Sequence, residues 1–208
     1  MKGNAVIGQS GGPTAVINAS LVGVVEAALE QSEITRVFGM RYGIRGLLDG
    51  LLVNLSTLSA DRLSALRTTP SSALGSTRYK LHDEDLPAVL EALKSQDIRY
   101  FFLIGGNDTM DTVHRVERYC RENDYELRGV GIPKTVDNDL FGTDHTPGFP
   151  SAARDIALSV QQAGRLARDM QKVDQYAIFQ AIGRDAGWLA AAASLAKHTE
   201  ADAPHLVY

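Results

Sequence analysis

The chain has 208 residues, is 44% hydrophobic and 22% charged, and carries a formal net charge of −4. That composition suits one large or two small globular domains with a sizeable core, and the slightly acidic balance gives no basic surface for nucleic acid or an acidic membrane. No apolar run approaches the roughly 18 residues of a membrane-spanning helix. The single cysteine, Cys120, rules out an intramolecular disulfide and points to a reducing compartment, so a cytoplasmic protein is expected.

In chain order, NAVIGQ (4–9) is a short apolar strand that ends in the loop SGGP. TAVINASLVGVVEAALEQ (14–31) has apolar residues at helical spacing, with Pro13 and Thr14 near its start. ITRVFGMRYG (34–43) is a second strand and LLVNLS (51–56) a short third; SADRLSALRTT (59–69) opens on Ser59 and reads as a helix. PSSALGSTRYKL (70–81) is a loop of small residues ending in cations, and DEDLPAVLEALKSQ (83–96) is an acid-started helix. IRYFFLIGGNDT (98–109) is the strongest strand signal, followed by an amphipathic helix over 110–123 and a strand over 126–132. Beyond the acidic loop the pattern predicts a helix near 151–171, a strand QYAIFQAIG (175–183), a helix DAGWLAAAASLAKH (185–198) and the start of a strand at APHLVY (203–208). Strands alternating with helices over short connections argue for an α/β fold: a doubly wound, mostly parallel sheet covered on both faces. A boundary is expected near Gly148, separating a phosphate-donor-binding domain (1–148) from the start of a second α/β domain (149–208).

VIGQSGGP and FFLIGGNDT share one design of strand, glycine pair, helix. Glycine lets the backbone approach a ligand closely, and the following helix offers free N–H groups and a positive dipole end, which suits phosphate. Read alone, Gly11, Gly12, Gly105 and Gly106 could be tight turns only; two such pairs at βα junctions of one sheet favour a phosphate site. Neither is a P-loop or a dinucleotide fingerprint, so cations must come from elsewhere. Arg78, Lys80 and Lys134 are the candidates, though each read singly is a solvated charge.

GIPKTVDNDL (131–140) puts a lysine and two aspartates at a strand end, where open α/β sheets bind ligands. In an extended segment Asp137 and Asp139 share a face, with Asn138 opposed. One carboxylate can accept a hydroxyl proton while the other orients substrate, and Lys134 can neutralise charge on a transferred phosphoryl group. A surface turn with a Lys134–Asp137 ion pair is the competing reading from spacing.

GGNDT, PKTVDNDLFGTD and IGRDAGW, with SGGPTAVINA and LGSTRYKL in the same order, resemble the phosphofructokinase family. The resemblance covers essentially the whole chain. It implies Mg²⁺-dependent phosphoryl transfer to fructose 6-phosphate, with Asp137 as the general base toward the sugar 1-hydroxyl. Thr135, Val136, Asp139, Ile182, Gly183 and Arg184 fall in the sugar-phosphate site. Gly11, Gly12, Arg78, Gly105, Gly106 and Thr109 fall at the phosphate donor, and Asn107, with Asp108 as the alternative, falls at the metal.

Asp108 and Lys134 bear on the donor, because family members that use ATP usually have glycine at both positions and users of pyrophosphate have Asp and Lys. A carboxylate about 4 Å from an ATP α-phosphate costs on the order of 4 kcal/mol at an effective dielectric of 20, about a thousandfold in affinity. The resemblance therefore implies a pyrophosphate–fructose 6-phosphate 1-phosphotransferase, reversible and glycolytic. An ATP-dependent 6-phosphofructokinase, with Asp108 serving only as a helix cap, is one alternative. A catalytically silent phosphate-binding or regulatory fragment is the other. Asn107 replaces the family's usual metal-binding aspartate, Ile182 replaces a methionine, and Gln175 stands nearest to an arginine found in bacterial ATP users. The family continues beyond the point matching Tyr208, so a fragment is expected here, and a homo-oligomer (dimer or tetramer) in the longer protein.

Overall fold

The computed structural model describes all 208 residues. Five strands form one sheet: β1 (Gly3–Gln9), β2 (Ile34–Met40), β3 (Leu52–Asn54), β4 (Ile98–Gly105) and β5 (Arg128–Pro133), in the order β3-β2-β1-β4-β5. β1, β2, β4 and β5 are parallel, and β3 returns antiparallel along β2. Five helices accompany the sheet: α1 (Ile17–Leu29), α2 (Gly43–Leu48), α3 (Ala60–Arg67), α4 (Leu86–Ser95) and α5 (Asn107–Glu122). Two more follow it, α6 (Phe149–Asp169) and α7 (Trp188–Ala192).

Alternation along the strands feeds two apolar layers. Ala5, Ile7, Val37 and Ile104 pack with Ile17, Leu21, Val22 and Val25 of α1 and Leu63 of α3. Val6, Met40, Phe101 and Leu103 pack on the opposite side with α2, α4 and α5. The sheet is thus doubly wound, and burying one side chain such as Phe101 contributes roughly 2–3 kcal/mol. α5 shows how local pattern and packing agree: Thr109, Val113, Val116 and Cys120 are its buried stripe, and Asp108 lies in the first turn, where the dipole favours an anion.

The central strand decides where a ligand can sit. From β1 the chain crosses to β2 on one side and later returns to β4 on the other, so the connections leaving β1 and β4 diverge. Gln9 pairs with Ile104, which sets Ser10–Gly12 beside Gly105–Gly106 at the carboxyl edge.

The chain divides into two compact units, Met1–Lys134 and Thr135–Tyr208. Within the second unit the loop 135–148 bonds to itself. Thr135 bridges Gly148, and its N–H donates to Pro147 O at 3.2 Å. In the second unit Ala153, Leu189 and Ala192 form a small core with Val136, Phe149 and Ile156, and Val160, Ala193 and Ala196 form another.

Two strand expectations fail in this unit. Residues 175–183 and 203–208 join no ladder, since no neighbouring strand offers them hydrogen bonds, and Ile178 is 97% exposed. The helix expected over 185–198 is confined to α7 and a 3₁₀ turn, Ala193–Ala196. α2 is the helix that sequence reading missed. Its Gly43 and Gly46 lower helix propensity, yet a Cβ on Gly46 would fall 1.5 Å from Arg41 O, so close packing demands the glycine.

Candidate active site

The first cluster lies at the carboxyl edge of β1, β4 and β5. Gly11 turns the chain with φ +76°, a conformation that favours glycine. Lys134 follows the end of β5, is 3% exposed, and donates from Nζ to Gly12 O at 2.7 Å. A Cβ on Gly11 would lie 3.1 Å from that ammonium, and one on Gly12 would lie 3.9 Å from Arg78 Nη2. The two cations therefore converge on the glycine turn. The Lys134 N–H donates to Gly105 O at 2.9 Å, which joins the second glycine pair to the same cluster.

Asn107 and Asp108 open α5 after Gly106, which occupies the cap position. Asp108 sits inside the first turn, so the capping role considered for it is not the one it takes. Thr109 is buried, and a Cβ on Gly105 would collide with its Oγ1 at 2.1 Å, so Gly105 must be glycine for Thr109 to pack there.

The second cluster is the loop after Lys134. Thr135, Asp137, Asn138 and Thr146 are all buried. The Asp137 N–H donates to Thr135 Oγ1 at 3.1 Å, and Thr146 Oγ1 donates to Thr135 O at 2.8 Å. Asn138 stands at φ +55°; its Nδ2 donates to Asp144 O at 3.0 Å, and its Oδ1 accepts from the Thr146 N–H at 2.8 Å. The segment is therefore turned at Asn138, not extended.

Asp137 and Asp139 nevertheless meet one group. Arg184 donates from Nε and Nη2 to Asp137 Oδ2 at 3.1 and 2.9 Å, and its Nη2 lies 3.8 Å from Asp139 Oδ2. The ion partner of Asp137 is thus an arginine 47 residues along the chain. Both Arg184 bonds go to Asp137 Oδ2, and neither goes to Oδ1. Gly183 makes the turn that presents Arg184: Ala186 N–H donates to Gly183 O at 2.9 Å, and a Cβ on Gly183 would meet Ala186 O at 2.5 Å. Ile182 is exposed beside it, and Val136 packs into the small core.

Sequence reading missed Gln9, Asn18 and Thr146. A polar residue closing an apolar strand, as Gln9 does in NAVIGQ, was the available signal. Thr146 carried none, because its partners are set by the path of the loop. No group of three or more His, Cys, Asp and Glu side chains could hold a metal ion by itself.

An open, doubly wound sheet whose glycine turns gather a buried lysine and an arginine at its switch point belongs with the α/β proteins built to take a ligand at the carboxyl edge of the sheet. Within that class, the family model described as Phosphofructokinase matches residues 4–205, and the chain belongs to this family. A relative from Rhodospirillum rubrum named pyrophosphate–fructose 6-phosphate 1-phosphotransferase is 44% identical over 207 residues, covering 100% of this chain and 50% of the relative. A sulfofructose kinase from Alkalicoccus urumqiensis is 35% identical over 202 residues, covering 97% of this chain and 52% of the relative. The crystal structure of a pyrophosphate-dependent phosphofructokinase from Nitrosospira multiformis superposes with a TM-score of 0.89 at 44% identity, covering 97% of this chain and 51% of that one. The chain spans about half the length of the curated relatives it matches.

Proposed function

We propose that this chain carries the phosphate-donor site and the base-bearing part of the sugar-phosphate site of a pyrophosphate–fructose 6-phosphate 1-phosphotransferase. The observation that carries the reading is Lys134, a buried ammonium 2.7 Å from Gly12 O. Here it points at a glycine turn that Arg78 also approaches, where the terminal phosphates of a donor fit.

In this reading Asp137 accepts the proton of the sugar 1-hydroxyl through the oxygen that Arg184 leaves open. The hydroxyl oxygen attacks a pyrophosphate phosphorus, the bridging P–O bond breaks, and inorganic phosphate leaves with the charge that Lys134 and Arg78 offset. A weak base suffices, because phosphoryl transfer asks for little proton removal before the transition state. Thr135 and Asp139 flank the acceptor, Val136 supports the loop, and Ile182, Gly183 and Arg184 face the sugar phosphate. Gly11, Gly12, Gly105, Gly106 and Thr109 shape the donor side.

Asn107 Oδ1 and the Asp108 carboxylate at the start of α5 are hard oxygen donors of the type Mg²⁺ takes alongside substrate phosphates and water. When bound there, the ion would neutralise and orient the donor phosphates. Asp108 also sets a negative charge where ATP would bring its third phosphate. Because pyrophosphate and a phosphate ester are donors of similar kind, the reaction runs in both directions. The domain reading (1–148 for donor, 149–208 for sugar phosphate), homo-oligomeric assembly and a cytoplasmic setting accompany this proposal; no helix is long and apolar enough to cross a membrane.

The test is turnover of fructose 6-phosphate with Mg²⁺ by this chain and by a form extended to the length of the relatives, using pyrophosphate and ATP in parallel, with calorimetric binding of each donor. Turnover with pyrophosphate alone is expected of the extended form. Turnover with ATP alone would replace this reading by the ATP-dependent one. Binding of pyrophosphate with no turnover from either direction, even in the extended form, would favour the silent chain, with Asn107 as the residue to restore to Asp first.

A further inference from the structure

Two buried amides tie together the loops of the donor face. Gln9 ends β1 with its side chain fully buried, and Asn18 stands in the first turn of α1 at 1% exposed. Gln9 Nε2 donates to Asn18 Oδ1 at 2.9 Å and to Ile17 O at 3.4 Å. Gln9 Oε1 accepts from Ser72 Oγ and from the Leu74 N–H, each at 2.9 Å. Asn18 Oδ1 accepts from the Ala73 N–H at 2.9 Å, and Asn18 Nδ2 donates to Thr69 O at 2.9 Å. Each amide uses both its oxygen and its nitrogen, and no buried side-chain polar atom of the protein lacks a partner.

A core that needed only filling would place an apolar side chain at both positions, since a buried amide has no advantage there unless its hydrogen bonds specify something. What these bonds specify is the path of residues 69–74, a segment without helix or strand whose backbone groups take amide side chains in place of a ladder. The segment then runs onto the glycine turn. Gly11 N–H donates to Thr77 O at 3.0 Å, Ser76 Oγ donates to Gly11 O, and Tyr42 N–H donates to Leu74 O at 2.9 Å. The next residue is Arg78, whose Nη2 lies over Gly12.

We infer that Gln9 and Asn18 are positioning residues for the donor anion: they lock residues 69–78 onto the Gly11–Gly12 turn, so that the Arg78 guanidinium and the Lys134 ammonium meet one anion. The inference rests on the reading of that face as the pyrophosphate site. Neither amide touches the anion; each acts through the loop it holds.

Gln9→Met keeps the length and bulk of the side chain and removes its hydrogen bonds. Ser72→Ala removes one bond from the loop side and leaves Gln9 in place. The readouts are calorimetric affinity for Mg²⁺-pyrophosphate, the KM for fructose 6-phosphate, and hydrogen exchange at the Ala73 and Leu74 amides. In folded Gln9→Met, pyrophosphate affinity falls about tenfold, as expected for a lost buried hydrogen bond at the loop. Exchange at both amides speeds up, and the KM for the sugar phosphate stays within about twofold. Ser72→Ala moves the same readouts by roughly threefold, and decides the matter if Gln9→Met does not fold.

Unchanged pyrophosphate affinity in a folded variant overturns the inference, as does unchanged exchange at Ala73 and Leu74. Equal losses for both substrates also overturn it, because they mark a general loss of structure. A wild-type chain that binds no pyrophosphate overturns the reading of the face and this inference with it. Normal wild-type binding with an unaffected variant overturns the inference alone.

Discussion

The two units hold functional side chains in different ways. In Met1–Lys134, sheet and helices bury two broad apolar layers, and only Leu29, Tyr42, Leu51 and Val130 stand out as exposed large hydrophobics. Its cations are aimed by loops anchored to that core. In Thr135–Tyr208 the cores are small clusters rich in alanine, while Phe141, Leu166, Tyr176, Ile178 and Trp188 are among many exposed apolar side chains. Asp137 is aimed there by hydrogen bonds within a single loop and by Arg184. The first unit gains precision from packing, the second from side-chain-to-backbone bonding with little core behind it. Donor binding should therefore survive damage to the second unit, and the position of the base should not.

The largest effect is expected at Asp137. Asp137→Ala lowers kcat for phosphoryl transfer by about 10³-fold, the range for loss of a general base, and leaves pyrophosphate affinity within about twofold. Steady-state kinetics and calorimetry on the same preparation check both halves. A matching loss of donor affinity would break the comparison, because the donor groups belong to the first unit.

Next in size are two core truncations. Phe101→Ala in the first unit costs roughly 3–5 kcal/mol, and Leu189→Ala in the second costs about 2 kcal/mol, at the low end because fewer neighbours lose packing. Denaturant melts followed by Trp188, which lies in the second unit, and by far-ultraviolet circular dichroism separate them. Leu189→Ala should shift the tryptophan signal more than the bulk signal. Coincident shifts would show the two units melting as one.

The smallest effect is a pH dependence in the first unit. Burial pushes the Cys120 thiol up to about 11 from its ordinary 9.0. The unfolded chain then releases this proton before the folded one, so the associated stability is fully present below about pH 9 and is lost as the pH rises toward 11. By linkage the loss amounts to about 2 kcal/mol at pH 10.5. Melts at pH 8 and 10.5 should show that extra loss in the wild type and not in Cys120→Ala. Iodoacetamide should label native Cys120 at pH 8 far more slowly than a free thiol; labelling at the free-thiol rate would mean the first unit opens as readily as the second.

The alternation of strands and helices, the two glycine pairs and the acidic loop were legible because each is a local pattern. Period-two and period-3.6 apolar spacing follow from backbone geometry alone, and a glycine pair at a strand end marks where backbone must approach a ligand. TVDND with GGNDT and IGRDAGW carried the family resemblance without any tertiary information. The same local reasoning failed at 175–183, where strand propensity was present and a partner strand was not. It failed at α2 as well, whose Gly46 is required by the Arg41 carbonyl.

By itself, then, the sequence determined the doubly wound layering of the first unit, the family, and the short stretches in which the candidate groups lie. Tertiary structure alone decided which groups meet. Lys134 reaches Gly12 across 122 residues, Arg184 reaches Asp137 across 47, and Gln9 reaches Leu74 across 65. Propensity and periodicity are properties of neighbours along the chain. A hydrogen bond between distant residues depends on the whole path between them, and on the core that makes that path the favoured one.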